Sequence, residues 1–163
     1  MAIRFNAEEI FLMAEQIERN GTKFYRKVAE TAPNPASRQM LLDLAAMEVE
    51  HERTFAALRT KLNQQARQTM TFDPDSEGEA YLRAFADGEV FDVKADPAAK
   101  LTGRESMNEI LRTAIGMEKD SVLFYVGIRD MVPANMGKNK VELIIKQEMG
   151  HIALLSGRLA SLK

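Results

Sequence analysis

Two short motifs with the same spacing could bind metal ions: Glu48 with His51, and Glu148 with His151. They contain the only 2 histidines of the 163-residue chain. Residues three positions apart lie on the same face of a helix, so each motif can direct one carboxylate and one imidazole toward the same ion. The two motifs therefore predict a metal centre.

Two further glutamates, Glu18 and Glu118, complete the predicted centre. One glutamate from each of two helices, plus Glu-x-x-His from each of two others, is the ligand pattern of di-iron and di-manganese helical bundles. The predicted ligands are Glu18, Glu48, His51, Glu118, Glu148 and His151. By analogy with such sites, Glu48 and Glu148 are expected to bridge two ions, while Glu18 and Glu118 are terminal and each histidine binds one ion.

Charge favours this interpretation over incidental surface residues. Four carboxylates in a bundle core would repel one another, and each would cost several kcal/mol to desolvate. Two divalent cations balance the four negative charges. Oxygen-rich ligation with one imidazole per ion suits iron or manganese, and zinc is a further substitute. We therefore expect two iron ions.

The motifs belong to an internal repeat with an offset of 100 residues, which relates residues 1–63 to residues 101–163. Matched pairs include Asn6/Ser106, Glu9/Glu109, Ile10/Ile110, Ala14/Ala114, Glu18/Glu118, Phe24/Phe124, Tyr25/Tyr125, Glu48/Glu148 and His51/His151. A repeat this regular predicts that a site built by one half is completed by the other.

Four long helices are predicted from residues that recur alternately every three and four positions. The inward stripes are Ala7, Phe11, Ala14, Glu18, Gly21, Tyr25 and Val28; Leu41, Leu44, Glu48, His51, Phe55, Leu58 and Leu62; Met107, Leu111, Ala114, Glu118, Ser121, Tyr125 and Ile128; and Val141, Ile144, Glu148, His151, Leu155, Arg158 and Leu162. The predicted ligands lie on these stripes, so the helices must bring them into the interior of a bundle.

Capping residues mark the helix boundaries. Asn6 with Glu9 and Ser106 with Glu109 are capping boxes. Pro33 and Pro133 are expected to end the first and third helices, and Asn34-Pro35 to begin the second. Gly21 is placed inside the first helix because its counterpart in the repeat is Ser121.

The insert at residues 64–100 has no counterpart in the repeat. It contains one candidate helix from Glu77 to Asp87, with Ser76 and Glu79 as a capping box and Gly88 as the stop. The remainder, including Asp73-Pro74 and Asp96-Pro97, is expected to be loop. The predicted fold is an all-α four-helix bundle, one domain over residues 1–163, in which a long crossover joins two helical hairpins.

Composition limits the class of protein. The net charge of -2 and the lack of a sustained basic run argue against nucleic acid or an anionic membrane as partner. The chain has 0 cysteines, which excludes thiolate sites, a built-in rubredoxin and disulfides. With no apolar stretch long enough to span a membrane, a cytoplasmic location is expected.

Some residues near the predicted ligands have less certain roles. Tyr25 and Tyr125 are candidates to hydrogen-bond ligand carboxylates on opposite helices, although plain core tyrosines are nearly as good an interpretation. Gly21 and Ser121, like Ala14 and Ala114, are small and could leave room for a bound oxygen species. Glu15 flanks the first stripe and could turn inward, but a residue in this position is more often solvated, and solvation is the expectation.

At these residues the chain resembles the rubrerythrin family of the ferritin-like superfamily. The resemblance rests on Ala14, Glu18, Phe24-Tyr25, Glu48-x-x-His51, Ala114, Glu118, Phe124-Tyr125 and Glu148-x-x-His151. It implies a ferritin-like di-iron bundle, often dimeric, whose better-known members reduce hydrogen peroxide with electrons from an attached rubredoxin domain. This chain lacks that module. It also has Ser121 where peroxidase-type members carry an additional glutamate, which puts efficient peroxide reduction in question.

Three functions follow as hypotheses. The first is a di-iron oxidoreductase that reduces hydrogen peroxide, or dioxygen, with electrons from a separate donor such as a rubredoxin, in a homodimer. The second is ferrous iron oxidation and storage, which needs nearly the same site. The third is a non-catalytic module stabilised by metal.

Overall fold

The computed structural model describes residues 6–62, 77–86 and 92–162, and within these ranges the chain is helical without β-strands. The α-helices are α1 (Ala7–Glu30), α2 (Pro35–Thr60), α3 (Glu77–Ala86), α4 (Met107–Arg129) and α5 (Lys138–Ala160), with 3-10 turns at Pro97–Lys100 and Ala134–Met136. Helix α1 packs mainly on α2 and α4 on α5, while α1 also contacts α4 and α2 contacts α5. The predicted all-α bundle of two hairpins is confirmed.

The predicted helix starts are also confirmed. Asn6 and Ser106 each accept a hydrogen bond from the backbone of a glutamate three residues later, and the glutamate side chain accepts one in return. The Asn34 side chain accepts from the Ser37 backbone, with a proline in the first turn of α2. Helix α1 continues through Gly21 without a break.

The bundle core consists of two apolar layers separated by a polar layer. One apolar layer includes Phe11, Ile17, Phe55, Phe124, Tyr125, Ile128, Val141 and Ile144. The other includes Phe24, Tyr25, Leu41, Leu44, Ile110, Leu111, Ala114 and Leu155. On each of the four long helices the predicted metal ligands come between residues of the two layers, so the polar layer crosses the middle of the bundle.

The residues of the predicted inward stripes are buried, except at the start of α4 and at the end of α5. Leu162 is 41% exposed because α5 ends at Ala160, so this prediction was wrong. Arg158 is half-buried and donates to Ser37 Oγ on α2 at 3.1 Å instead of entering the core. Met107, in the first turn of α4, is only partly buried.

The insert contributes α3, which packs on α4 outside the bundle. The Phe85 and Phe124 rings lie 5.3 Å apart, and the Tyr81 hydroxyl donates to the Leu123 carbonyl. A Cβ at Gly127 would lie 2.0 Å from Tyr81 Cε1, so only glycine allows this close approach. The helix was predicted from Glu77 to Asp87, and the structure describes it from Glu77 to Ala86. Outside the described residues lie Asp87, the predicted capping residue Ser76, the predicted stop residue Gly88 and Asp73-Pro74.

Residues 92–105, here called the strap, lie against α1. Buried Asn20 donates from Nδ2 to the Val93 carbonyl at 2.9 Å and to the Ala95 carbonyl at 3.1 Å. Lys27 Nζ donates to the Ala98 carbonyl at 3.0 Å. Asp96-Pro97 was predicted as loop but starts a 3-10 turn, because the Asp96 carboxylate accepts from the Ala98 backbone.

None of the described helices is both long enough and apolar enough to cross a bilayer.

Candidate metal centre

The structure brings the side chains of all six predicted ligands together in the polar layer, each at most 4% exposed. Glu18 comes from α1, Glu48 and His51 from α2, Glu118 from α4, and Glu148 and His151 from α5. Each hairpin supplies half of the cluster, as the repeat predicted. Their role as ligands remains a prediction.

The six side chains form two overlapping groups. Donor atoms of Glu18, Glu48, His51 and Glu148 lie within 4.8 Å of one another, as do those of Glu48, Glu118, Glu148 and His151. The two groups share Glu48 and Glu148, the glutamates predicted to bridge. Two cation positions that share two carboxylates are the arrangement expected of a dinuclear centre.

Both histidines direct Nδ1 toward the carboxylates. His51 Nδ1 lies 3.1 Å from Glu148 Oε1 and 3.4 Å from Glu18 Oε2. His151 Nδ1 lies 2.9 Å from Glu148 Oε2 and 3.3 Å from Glu48 Oε1. The two rings are stacked with centroids 5.7 Å apart. Nδ1 is therefore the nitrogen available to an ion at either position.

Three carboxylate oxygen atoms of the cluster have no hydrogen-bond partner among the described residues, and this indicates whether the cluster suits a metal ion. Buried Glu18 Oε2, Glu48 Oε1 and Glu148 Oε2 accept no hydrogen bond from the described residues. A buried carboxylate oxygen left unsatisfied is costly, and a divalent cation would remove that cost. The oxygen-rich donor set with two imidazoles fits two iron ions.

In the metal-free chain, protons compensate part of the negative charge. Burial raises the pKa of Glu18, Glu48 and Glu118 well above the usual value, and neighbouring carboxylates raise it further. Burial lowers the pKa of His151, but the adjacent carboxylates of Glu118, Glu148 and Glu48 outweigh this effect and raise the pKa to about 12. Metal binding must therefore displace protons.

Two tyrosines connect the hairpins through the cluster. The Tyr25 hydroxyl donates to Glu118 Oε1, and the Tyr125 hydroxyl donates to Glu18 Oε1. Both side chains are at most 1% exposed. Burial is the main cause that raises the pKa of each hydroxyl, and the negative charge of the adjacent glutamate raises it further. The tyrosines are thus protonated donors that orient the glutamates predicted to be terminal ligands.

Gln147 is a site residue that the sequence analysis missed. Its Oε1 lies 3.2 Å from His51 Nε2. An Nε2–H that donates to this oxygen would leave the Nδ1 lone pair available to a metal ion bound among the carboxylates. The repeat counterpart of Gln147 is Met47, and buried His151 Nε2 has no hydrogen-bond partner among the described residues. The sequence does contain a sign of this role, because Gln147 is polar where its counterpart in the repeat, Met47, is apolar.

Glu15 was predicted to be solvated, and that prediction was wrong. It is 3% exposed, and its Oε1 accepts from Arg59 Nε at 2.6 Å. Arg19 on the next turn of α1 lies 3.5 Å from its other oxygen. Guanidinium groups compensate this carboxylate near Glu18, so it can be buried without a metal ion.

A cavity of about 550 Å³ extends from the cluster to the space under the strap. Glu48, Glu118 and Tyr25 line its inner end, together with Gly21 and Ser121. A Cβ at Gly21 would lie 3.2 Å from Glu48 Cγ, so the glycine keeps space beside that carboxylate. The cavity provides a route by which a small molecule can reach the cluster.

Comparisons with known proteins agree with this architecture. The sequence matches the rubrerythrin family model over residues 9–159. A 2.30 Å crystal structure from Thermotoga maritima, of a protein described as ferritin-like and diiron-carboxylate, has the same fold with a TM-score of 0.71. The two are 22% identical, and the match covers 98% of this chain and 97% of that one. Among curated proteins no sequence matches.

Proposed function

The chain belongs to the rubrerythrin family, and from this premise we propose that it is a di-iron oxidoreductase that reduces hydrogen peroxide with electrons from a separate donor. The observation that carries the proposal is the pair of overlapping ligand groups that share Glu48 and Glu148. A structural ion would need only one group. Two adjacent positions suit a two-electron reaction.

In the proposed centre, Glu18 and His51 would hold one ion and Glu118 and His151 the other, with Glu48 and Glu148 within reach of both positions. A ferrous pair bound there would supply the two electrons that reduction of peroxide to water requires. The protein fixes their ligands from four different helices, so the spacing of the ions depends on the packing of both hairpins.

The remaining residues organise the site and shield it outside the cavity. Tyr25 and Tyr125 hold the glutamates predicted to be terminal by hydroxyl hydrogen bonds across the hairpin interface. Apolar layers above and below the cluster keep water from these two sides, which strengthens electrostatic interactions inside it. Gly21 and Ser121 border the cavity, so they leave space for an oxidant beside Glu48 and Glu118.

These 163 residues have 0 cysteines with which to bind a rubredoxin-type iron, so the bundle itself supplies no such electron carrier. We propose an external one-electron donor protein such as a rubredoxin, which would act twice for each peroxide. Dioxygen is the alternative oxidant at the same position.

Steady-state turnover tests the proposal. The iron-loaded protein, supplied with a reductase and rubredoxin, is expected to consume hydrogen peroxide over many cycles. Glu48→Gln should abolish this activity, whereas Glu50→Gln, a matched change on the exposed side of α2, should retain it. A single turnover followed by continued iron uptake would contradict the proposal and indicate iron oxidation and storage.

A further inference from the structure

The cavity under the strap is far larger than hydrogen peroxide requires. Its volume is about 550 Å³, while a water molecule occupies about 30 Å³ in the liquid and hydrogen peroxide is only slightly larger. Cavities of roughly 300–1,000 Å³ are the usual size of sites for organic ligands. The space therefore suits a molecule with an organic body.

The roof of the cavity is held by specific hydrogen bonds. The Asn20 side chain is 7% exposed and uses Nδ2 to bind two strap carbonyls, those of Val93 and Ala95. Lys23 Nζ lies 3.6 Å from Asp96 Oδ2, one turn further along α1. Because side chains of α1 bind the strap at several positions, the strap has a fixed place over the cavity.

The walls are mainly apolar and the outer polar groups are mainly acidic. Apolar lining comes from Ile17, Ala95, Pro97, Leu101 and Met117. The outer polar residues are Asp92, Glu105 and Asp120, opposed by Lys100. An acidic entrance disfavours anions, so the organic body of a ligand is expected to be neutral.

We propose that this cavity accommodates the organic group of a neutral aryl or alkyl hydroperoxide, with its O–O group at the inner end beside Glu48 and Glu118. The inference rests on the proposed peroxide reduction and names its substrate class. Reduction breaks the O–O bond and takes up two electrons and two protons, giving one alcohol and one water. The electrons come from the reduced metal pair, which the external donor protein reduces again.

Binding of the product alcohol tests the cavity independently of turnover. Cumyl alcohol, the product of cumene hydroperoxide, is titrated into the zinc-loaded protein by calorimetry, since zinc is redox-inert. We expect cumyl alcohol to bind saturably. The para-carboxylate analogue of cumyl alcohol should bind about fivefold or more weakly, because the acidic entrance repels its charge. Absence of saturable binding would overturn the inference.

Matched tryptophan substitutions locate the site. Ala95→Trp fills the cavity from the strap, whereas Ala99→Trp adds the same side chain at an exposed strap position outside the lining. We expect about tenfold weaker alcohol binding in the first variant and no change in the second. Thr113→Trp, which fills the cavity from α4, repeats the test if Ala95→Trp fails to bind zinc.

Turnover separates this inference from the proposed function. With iron bound, kcat/KM for cumene hydroperoxide should exceed that for hydrogen peroxide by about tenfold, and Ala95→Trp should lower the value for cumene hydroperoxide by a larger factor than the value for hydrogen peroxide. Equal values, unchanged by Ala95→Trp, would overturn the inference and leave hydrogen peroxide reduction standing. Alcohol binding without turnover of any peroxide would overturn the proposed function, and the hydroperoxide assignment with it.

Discussion

The two hairpins supply equivalent predicted ligands, but each hairpin is stabilised by a different kind of contact between its two helices. Between α1 and α2, Arg59 Nε lies 2.6 Å from Glu15 Oε1, and Arg19 Nε lies 2.8 Å from Glu52 Oε1. The matching residues of α4 and α5 are Ile115, Leu159, Lys119 and Ile152. Ile115 and Leu159 pack against the apolar layer. The same hairpin geometry is thus stabilised by ion pairs in one half and by apolar contacts in the other.

This difference shows which positions depend on each other. Glu15 and Arg59 are both replaced by apolar residues in the second hairpin, Ile115 and Leu159. Replacing only Arg59 would leave the buried Glu15 carboxylate with Arg19 alone beside it, which is destabilising. The predicted metal ligands, in contrast, are identical in both halves, as expected if each proposed ion position needs the same donors.

A second difference lies beside the cluster. His51 Nε2 is 3.2 Å from Gln147 Oε1, whereas His151 has Met47 at the position equivalent to Gln147. The two halves of the proposed centre are therefore chemically inequivalent, although their predicted ligands match.

The largest effect is expected from removing a glutamate that both ligand groups share. Glu148→Ala should weaken binding of both ions about a hundredfold or more, whereas Glu18→Ala should weaken chiefly one. Anaerobic titration with cobalt(II), followed by visible absorption, distinguishes loss of two ions from loss of one. Equal losses in the two variants would contradict a shared carboxylate.

Exchanging the ion pair for its apolar counterpart tests the comparison of the hairpins. Arg59→Leu alone should destabilise the chain by about 2 kcal/mol, because Glu15 stays buried with only Arg19 beside it. Adding Glu15→Ile should recover most of this loss. Thermal unfolding should show a drop of about 4–8 °C in Tm for the single variant. Additive losses in the double variant would show that the pair is not coupled.

The metal-free protein should lose stability as pH rises. His151 has a folded-state pKa of about 12, and the pKa values of Glu18, Glu48 and Glu118 are also raised. These groups hold protons that the unfolded chain releases above about pH 4.5 for glutamate and 6.5 for histidine, which costs about 1.4 kcal/mol per pH unit for each proton.

Thermal unfolding in the presence of a chelator, from pH 5 to pH 9, measures this dependence. The Tm should fall with pH in the metal-free protein and change much less after metal loading, since metal replaces the protons. A metal-free Tm that rises across this range would contradict the assigned directions of the pKa shifts.

The smallest effect is expected at Gln147. Gln147→Met should weaken the affinity for the ion at the His51 position by about tenfold, because it removes the acceptor that orients His51. The reciprocal Met47→Gln should strengthen the affinity for the ion at the His151 position. Imidazole ¹⁵N shifts in the zinc-loaded protein report the His51 tautomer directly. If the tautomer and both affinities remain unchanged in Gln147→Met, this residue does not position His51.

The fold could be predicted from the sequence because the repeat, the stripes and the capping boxes all indicate the same four helices. Glu15 could not, since its burial depends on Arg59, which is 44 residues away in the chain. Gln147 was missed for a similar reason: its importance lies in a contact with α2 across the bundle. The cavity depends on how the strap lies over α1, which the composition of the insert does not indicate.

The proposed two-iron reaction is tested most directly by stoichiometry. The protein is loaded anaerobically with ferrous iron and mixed rapidly with one peroxide per two irons, while near-ultraviolet absorbance follows iron oxidation. The two ligand groups predict two irons per chain, both oxidised quickly by a single peroxide and much more slowly by air. Binding of one iron per chain, or slow peroxide chemistry with oxygen-driven uptake well beyond two, would contradict the account.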